Sequence, residues 1–414
     1  MVEPTHLERY ARILVSHAVG LRPGQDLYVR GTEEHADFAS KVGEAGYEIG
    51  ARSVSYRLTR ADEIAQLIRR GSPEHILLHH ERERDYYSEI VQRGGALIML
   101  SSHFEPPEAL QQAACANPRN YALFLQGRRE NLDFLCKPSA WRVFPCTIVP
   151  VATPRWAQKI FPEMPPNEAT ARLWNLLFQI SCTDQPDAVN RLKARTAKIR
   201  EREAALNQLE IREILITGGG NHLKLALSPK ARWANAGFQT KEGQTFFFNF
   251  PSEEIFTAPD CRTTEGRLLA SQPLRLYDGT MVENLVLDFR AGRVVGCEAS
   301  SGREALAKWL QTDPGACRLG ELGLVGRDSA VGQTQTRFDF NNLDENAAAH
   351  VALGQAFALN LEGGETLTET ERTEHGWNRS AIHMDVLFGS ENVTVQATKT
   401  NAGSFTLIEG DGAR

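Results

Sequence analysis

AVNRLKARTAKIREREAALNQLE, Ala188 to Glu210, divides this sequence into two textures. Charged side chains run through the whole stretch and its apolar residues are sparse and regularly spaced. It therefore predicts a long, solvated linking helix. A chain of 414 residues is too long for one ordinary core, and the helix is the natural place to divide it. The expected domains are residues 1–200 and 201–414.

Ahead of the helix, strand-like and helix-like segments alternate. Asp26–Arg30, ARSVSYRL (51–58), the continuously apolar GGALIMLSS (94–102), YALFLQG (121–127) and CTIVPVATP (146–154) read as strands. Leu7–Val19, HADFASKVGEAGYEIG (35–50), ADEIAQLIRRG (61–71), PEALQQAACAN (107–117) and NEATARLWNLLFQISC (167–182) read as helices. The alternation predicts an α/β domain with a largely parallel sheet. Beyond the helix, IREILIT, HLKLALS, TFFFNFP, RLYDG, MVENLVLDFRAGRVVGCEAS and LGELGLVG are separated by Gly, Asn, Asp and Pro turns. The second domain is expected to be β-rich, mixed α+β.

Composition excludes several classes of function. Apolar residues make up 42% and charged residues 24%, a normal globular mixture, and the net charge of −6 with no Lys/Arg run argues against a nucleic-acid partner. No run of eighteen apolar residues occurs, so no membrane helix is expected. The N-terminus reads as an amphipathic helix rather than a secretion signal. Seven scattered cysteines without a C-x-x-C pair favour a reducing cytoplasm.

The candidate chemistry lies in the second half. SAIHMDVLFG alternates as a strand, with Ile382, Met384, Val386 and Phe388 on one face and His383, Asp385 and Leu387 on the other. An imidazole and a carboxylate side by side can converge on one metal ion; a polar strand face turned to water has the same pattern. LDENAAAHVALGQAF (343–357) favours a helix capped by Asp344, with Glu345 in its first turn. In that helix Glu345 and His350 stand about 140° apart, whereas His350 and Phe357 lie within about 20° of each other. PSEEIFTAP (251–259) puts adjacent acids, Glu253 and Glu254, at a strand end. LGELGLV (319–325) buries Glu321 in an apolar strand between Gly320 and Gly323, where an unpaired carboxylate needs a cation or strong donors. The His79–His80 pair sits in a charged stretch expected to be solvated, and Gly218–Gly220 reads as a turn.

Four of these segments, NFPSEEIFTAP, LGELGLV, LDENAAAHVALGQAF and NRSAIHMD, occur in the order seen in the aminopeptidase T/AmpS family of metallo-aminopeptidases, peptidase family M29. The resemblance extends over essentially the whole chain, including VPVATPRWAQKIFP (149–162) and the charged linking helix. It implies a two-domain, usually dimeric enzyme with two divalent ions (Zn, Co or Mn) in the C-terminal domain. Carried over residue by residue, it implies that Glu254, Glu321, Glu345, His350, His383 and Asp385 are metal ligands and that Glu321 also handles the proton. It also picks Glu254 over Glu253, which composition alone leaves open. The family typically has a tyrosine where this chain has Phe357, so the phenolic hydroxyl is missing from a residue expected to line the substrate pocket. The one tyrosine after the linking helix, Tyr277, lies in the turn-like RLYDGT and reads as a poor replacement.

The expected reaction is hydrolysis of a small peptide or amide by a two-metal-activated water, as in a leucyl-type aminopeptidase or an amidase derived from one. Two alternatives stay open. His350, His383 and Asp385 could hold a single Fe(II), as in ring-cleaving dioxygenases of dihydroxypyridines that look distantly similar. The chain could also be a metal-binding relative without catalysis.

Overall fold

A computed structural model describes residues 2–102, 108–136, 143–399, 402–410 and 412–413. Contacts divide the chain between Arg191 and Leu192, inside the helix Ala188–Gln208, and return residues Gly237–Pro251 to the first unit. The second unit is Leu192–Ala236 with Ser252–Arg414.

The first unit is α/β. Its four-stranded sheet has the order Ser53–Thr59, Asp26–Thr32, Ala96–Ser101, Cys146–Pro150, and every pairing is parallel. Helices Ala36–Ile49 and Pro73–Gln92 lie in the connections between its strands. Three expectations fail here. YALFLQG is part of the helix Pro118–Cys136, not a strand. Among its residues of described burial, Asn120, Phe124 and Gly127 are buried, so the three-to-four-residue spacing outweighs the β-prone composition. The His79–His80 stretch is the middle of the helix Pro73–Gln92, and His80 is buried rather than solvated. Gly127 makes room for its ring: a Cβ there would come within 2.4 Å of it. TFFFNF, read as part of the second domain, contributes only the short strand Thr245–Phe247, paired with Gly237–Gln239 in the first unit.

The second unit is β-rich. An antiparallel eight-stranded sheet has at its centre the hairpin Ile211–Gly218 and Asn221–Ala226. Gly218, Gly219 and Gly220 all take positive φ at this turn, a run that side chains resist. A five-stranded antiparallel sheet has the order His383–Leu387, His350–Gly354, Leu319–Leu324, Ile255–Thr257, Ala234–Asn235. One apolar core joins the two sheets: Ile214, Ile216, Leu223 and Leu225 from the larger meet Leu322, Leu324, Val351, Leu353, Met384 and Val386 from the smaller. Strand periodicity then directs Glu321, His350, His383 and Asp385 to the other face of the five-stranded sheet.

The helix expected from Asp344 onward is not formed. Asn341–Asp344 makes one helical turn, Glu345–Ala347 a 3-10 turn, and the chain then enters the strand His350–Gly354. The alanine-rich run is helix-prone in isolation, but its strand is fully buried between two others, and tertiary pairing decides. Asp344 does not cap a following helix. Its carboxylate reaches back to accept the N–H groups of Phe338 (2.7 Å) and Phe340 (2.9 Å). Burial nevertheless pushes its pKa up to about 7, against the pull of those two donors.

Candidate metal centre

Register builds the centre. Glu321 faces Ala352, which faces Asp385; Gly323 faces His350; Gly354 faces His383. Small residues thus stand opposite each large polar one and leave room between neighbouring strands. Gly323 is the tightest case. A Cβ there would fall 2.3 Å from the His350 ring and 2.8 Å from Glu254 Oε1. Glu254 immediately precedes the strand Ile255–Thr257 and is buried. Its neighbour Glu253 turns elsewhere, accepting the N–H of Ala330 at 2.8 Å and lying 3.4 Å from Arg195.

Two groups of metal-capable atoms result, Glu254–Glu321–His350 and Glu321–His383–Asp385. Glu321 belongs to both. Its Oε1 lies 3.3 Å from His350 Nε2, and its Oε2 lies 3.7 Å from His383 Nε2. His350 Nε2 is also 3.1 Å from Glu254 Oε1, and His383 Nε2 is 3.3 Å from Asp385 Oδ1. Both imidazoles are oriented from behind. His383 Nδ1 lies 2.7 Å from the Gln355 carbonyl and His350 Nδ1 lies 3.3 Å from that of Ala348. A proton on each Nδ1 leaves the Nε2 lone pair aimed into the cluster, the arrangement seen for metal-binding histidines.

Electrostatics describe a crowded anionic site. Burial and then the Glu321 charge push Glu254 up to about 7, although His350 pulls the other way. Burial, followed by Glu254 and Asp385, raises Glu345 well above the carboxylate range; Glu345 lies outside both donor groups but within their field. Burial opposes a charge on His350, yet Glu254 and Glu321 lift its pKa well above the usual value. Burial likewise opposes a charge on His383, but Asp385 and Glu321 bring it up to about 10. Burial would raise Asp385, but the charge and hydrogen bond of His383, together with the charge of His350, outweigh it and lower the group. Glu254 Oε1 is buried without a well-directed hydrogen bond. An orphaned carboxylate oxygen beside an imidazole nitrogen fits a divalent cation, and the mixed N/O donor set suits a first-row transition metal.

Phe357 does not stand two helical turns from His350, since there is no helix. It follows the strand, and its ring lies 4.9 Å from the His383 ring and 5.9 Å from that of Phe256. The sequence reading missed the supporting carbonyls of Ala348 and Gln355, which carry no side-chain signal. It also missed Asn346, which accepts the N–H of Glu253 at 2.7 Å.

The model of the family described as thermophilic metalloprotease (M29) matches residues 4–412. This chain belongs to the M29 family. Membership makes it a metal-dependent peptidase. It is similar to aminopeptidase T of Thermus aquaticus, 34% identical over 94% of each chain, and to aminopeptidase AmpS of Bacillus subtilis, 29% identical over 94% of this chain and 93% of that one. The structure of wild-type AmpT from Thermus thermophilus superposes with a TM-score of 0.82 at 30% identity, covering 99% of this chain and 98% of that one.

Proposed function

We propose that this M29 peptidase is an aminopeptidase with a cocatalytic pair of divalent ions, Zn, Co or Mn, held by Glu254, Glu321, Glu345, His350, His383 and Asp385. The observation that carries the reading is Glu321, whose two carboxylate oxygens face two different histidine-containing donor groups. Such ions, when bound, acidify a water and polarise the scissile carbonyl. Glu321 takes the proton from the water and returns it to the leaving amine. Glu254 and His350 fix one side of the carboxylate, and His383 and Asp385 fix the other. Phe357, against His383, forms an apolar wall for the substrate side chain. A single-iron site would leave Glu254, and its shared neighbour Glu321, without a role.

The substrates are short peptides or aminoacyl amides with a free N-terminus. No helix among the described residues is long and apolar enough to cross a membrane. The scattered cysteines, with no C-x-x-C pair, support a reducing, cytoplasmic setting. A homodimer is the assembly the family resemblance implies, and light scattering measures it. The deciding experiment is a metal count on the purified protein, with turnover of aminoacyl anilides before and after chelation. Two ions per chain and activity restored by Zn, Co or Mn support the reading. One iron per chain with oxygen uptake overturns it.

A further inference from the structure

The strand His383–Leu387 is an edge strand of the five-stranded sheet. Phe388 N donates to Ala349 O, and Gln355 N donates to Ile382 O. The even-numbered residues therefore bond to the inner strand, and His383, Asp385 and Leu387 turn their backbone groups outward. At His383, where the strand begins, an unpartnered edge would fray. One atom prevents that. The Tyr277 hydroxyl accepts the N–H of His383 at 2.9 Å and donates to the carbonyl of the same residue.

Tyr277 comes from 106 positions away in the chain. It sits at the tip of a hairpin in which Leu274–Arg275 pairs with Met281–Val282. The tip is closed by Leu276 N to Thr280 O and by Asp278 Oδ1, which accepts the N–H of Thr280. The tyrosine ring stands edge-on to Trp309 at 5.3 Å, so the phenol is held from below as well. The turn reading of RLYDGT was right for the backbone, but it missed where the side chain reaches.

We infer that Tyr277 is a positioning residue for the metal centre: its hydroxyl stands in for a missing neighbouring strand and locks the backbone of His383. The inference rests on the reading of His383 as a ligand. His383 is then held at two independent points, its main chain by Tyr277 and its ring by the Gln355 carbonyl. Together they fix the direction of Nε2 toward Glu321 and Asp385. Partners of this kind typically change metal affinity or activity by about 10–100-fold when removed.

The test compares the full-length wild type with Tyr277→Phe, which keeps the ring against Trp309 and deletes the hydroxyl, and with His383→Ala. Each is titrated with Co²⁺ against a competing chelator, and the visible spectrum of the Co²⁺ protein is recorded. Tyr277→Phe is expected to weaken one of the ions about 10-fold, to shift the Co²⁺ absorption bands, and to lower kcat with KM within about two-fold. A purely structural role would lower the melting temperature and leave affinity and spectrum unchanged, and that result overturns the inference. If His383→Ala keeps its full metal content, the ligand reading itself is wrong. If it loses an ion while Tyr277→Phe binds like wild type, only the positioning role is wrong. Amide exchange in the wild type gives a check that needs no variant: protection of the His383 N–H is expected, and exchange at the rate of an open strand edge refutes the inference.

Discussion

In the first unit Glu83 is sunk between Arg30 and Arg57, with Tyr86 and Tyr87 against the two guanidiniums. In the second unit Glu254, Glu321 and Asp385 have only His350 and His383 as ion-pair partners among the described residues, and Glu345 adds its charge to the same field. Both carboxylate clusters are buried, but the first is matched by permanently charged guanidiniums and the second only by imidazoles, whose protons a metal ion can displace. Arg30 and Arg57 are register partners on adjacent parallel strands, so Glu83 receives two cations from the sheet. The sheet of the second unit offers glycines and an alanine at the equivalent crossings. Removing one partner from a matched buried pair strands the other charge at a high cost, whereas a buried anionic cluster paired only with imidazoles is open to a cation from solution. This contrast separates a structural cluster from a metal centre more sharply than residue type does.

The contrast can be broken most directly at Glu321. Glu321→Gln keeps the shape but removes the shared charge, and turnover should fall by about 10²–10⁴-fold in steady-state assays on an aminoacyl anilide. Full activity in that variant would remove Glu321 from the chemistry. Next in size, Glu83→Gln leaves two guanidiniums short of their counter-charge, and urea unfolding should show a loss of about 3 kcal/mol with activity per folded molecule unchanged.

A smaller effect tests the matched style of charge elsewhere in the first unit. Hydrogen bonds from Arg52 draw the buried Asp26 down to about 2, against its burial. A depressed carboxylate stabilises the fold above its unfolded pKa, and this stabilisation is lost as pH falls from about 4 toward 2. Because Arg52 is largely exposed, the contribution is about 1–2 kcal/mol. Asp26→Asn should be less stable at neutral pH by that amount and show a flatter acid limb. The smallest effect has the opposite sign. Glu345→Gln removes a carboxylate whose ionisation the fold disfavours, so the metal-free protein should melt a few degrees higher while its metal affinity drops. A lower melting temperature in the metal-free state would mean that this cluster, like that of Glu83, is balanced internally.

Local pattern carried much of this molecule into view. The alternation of His383 and Asp385 with Met384 and Val386 predicted the strand and its faces, because a period of two survives any context that buries one side. Glu321 stood out because a carboxylate in an apolar run has few physical explanations. The pattern failed where composition and partner disagree. Ala347–Ala349 favours helix, yet His350 begins a strand, since the sheet rather than the residue supplies its hydrogen bonds. YALFLQG failed in the reverse direction, a β-prone run absorbed by a helix.

From the sequence alone follow the α/β and β-rich halves, the M29 resemblance and the residues able to bind metal. These depend on periodicity, composition and side-chain chemistry, which are local. Only the tertiary structure decided that the two oxygens of Glu321 face different histidines, that Gly323 clears the space beside His350, and that Tyr277 grips His383 from a distant hairpin. Each of these depends on strand register and on the close approach of segments far apart in the chain, and no local pattern encodes either.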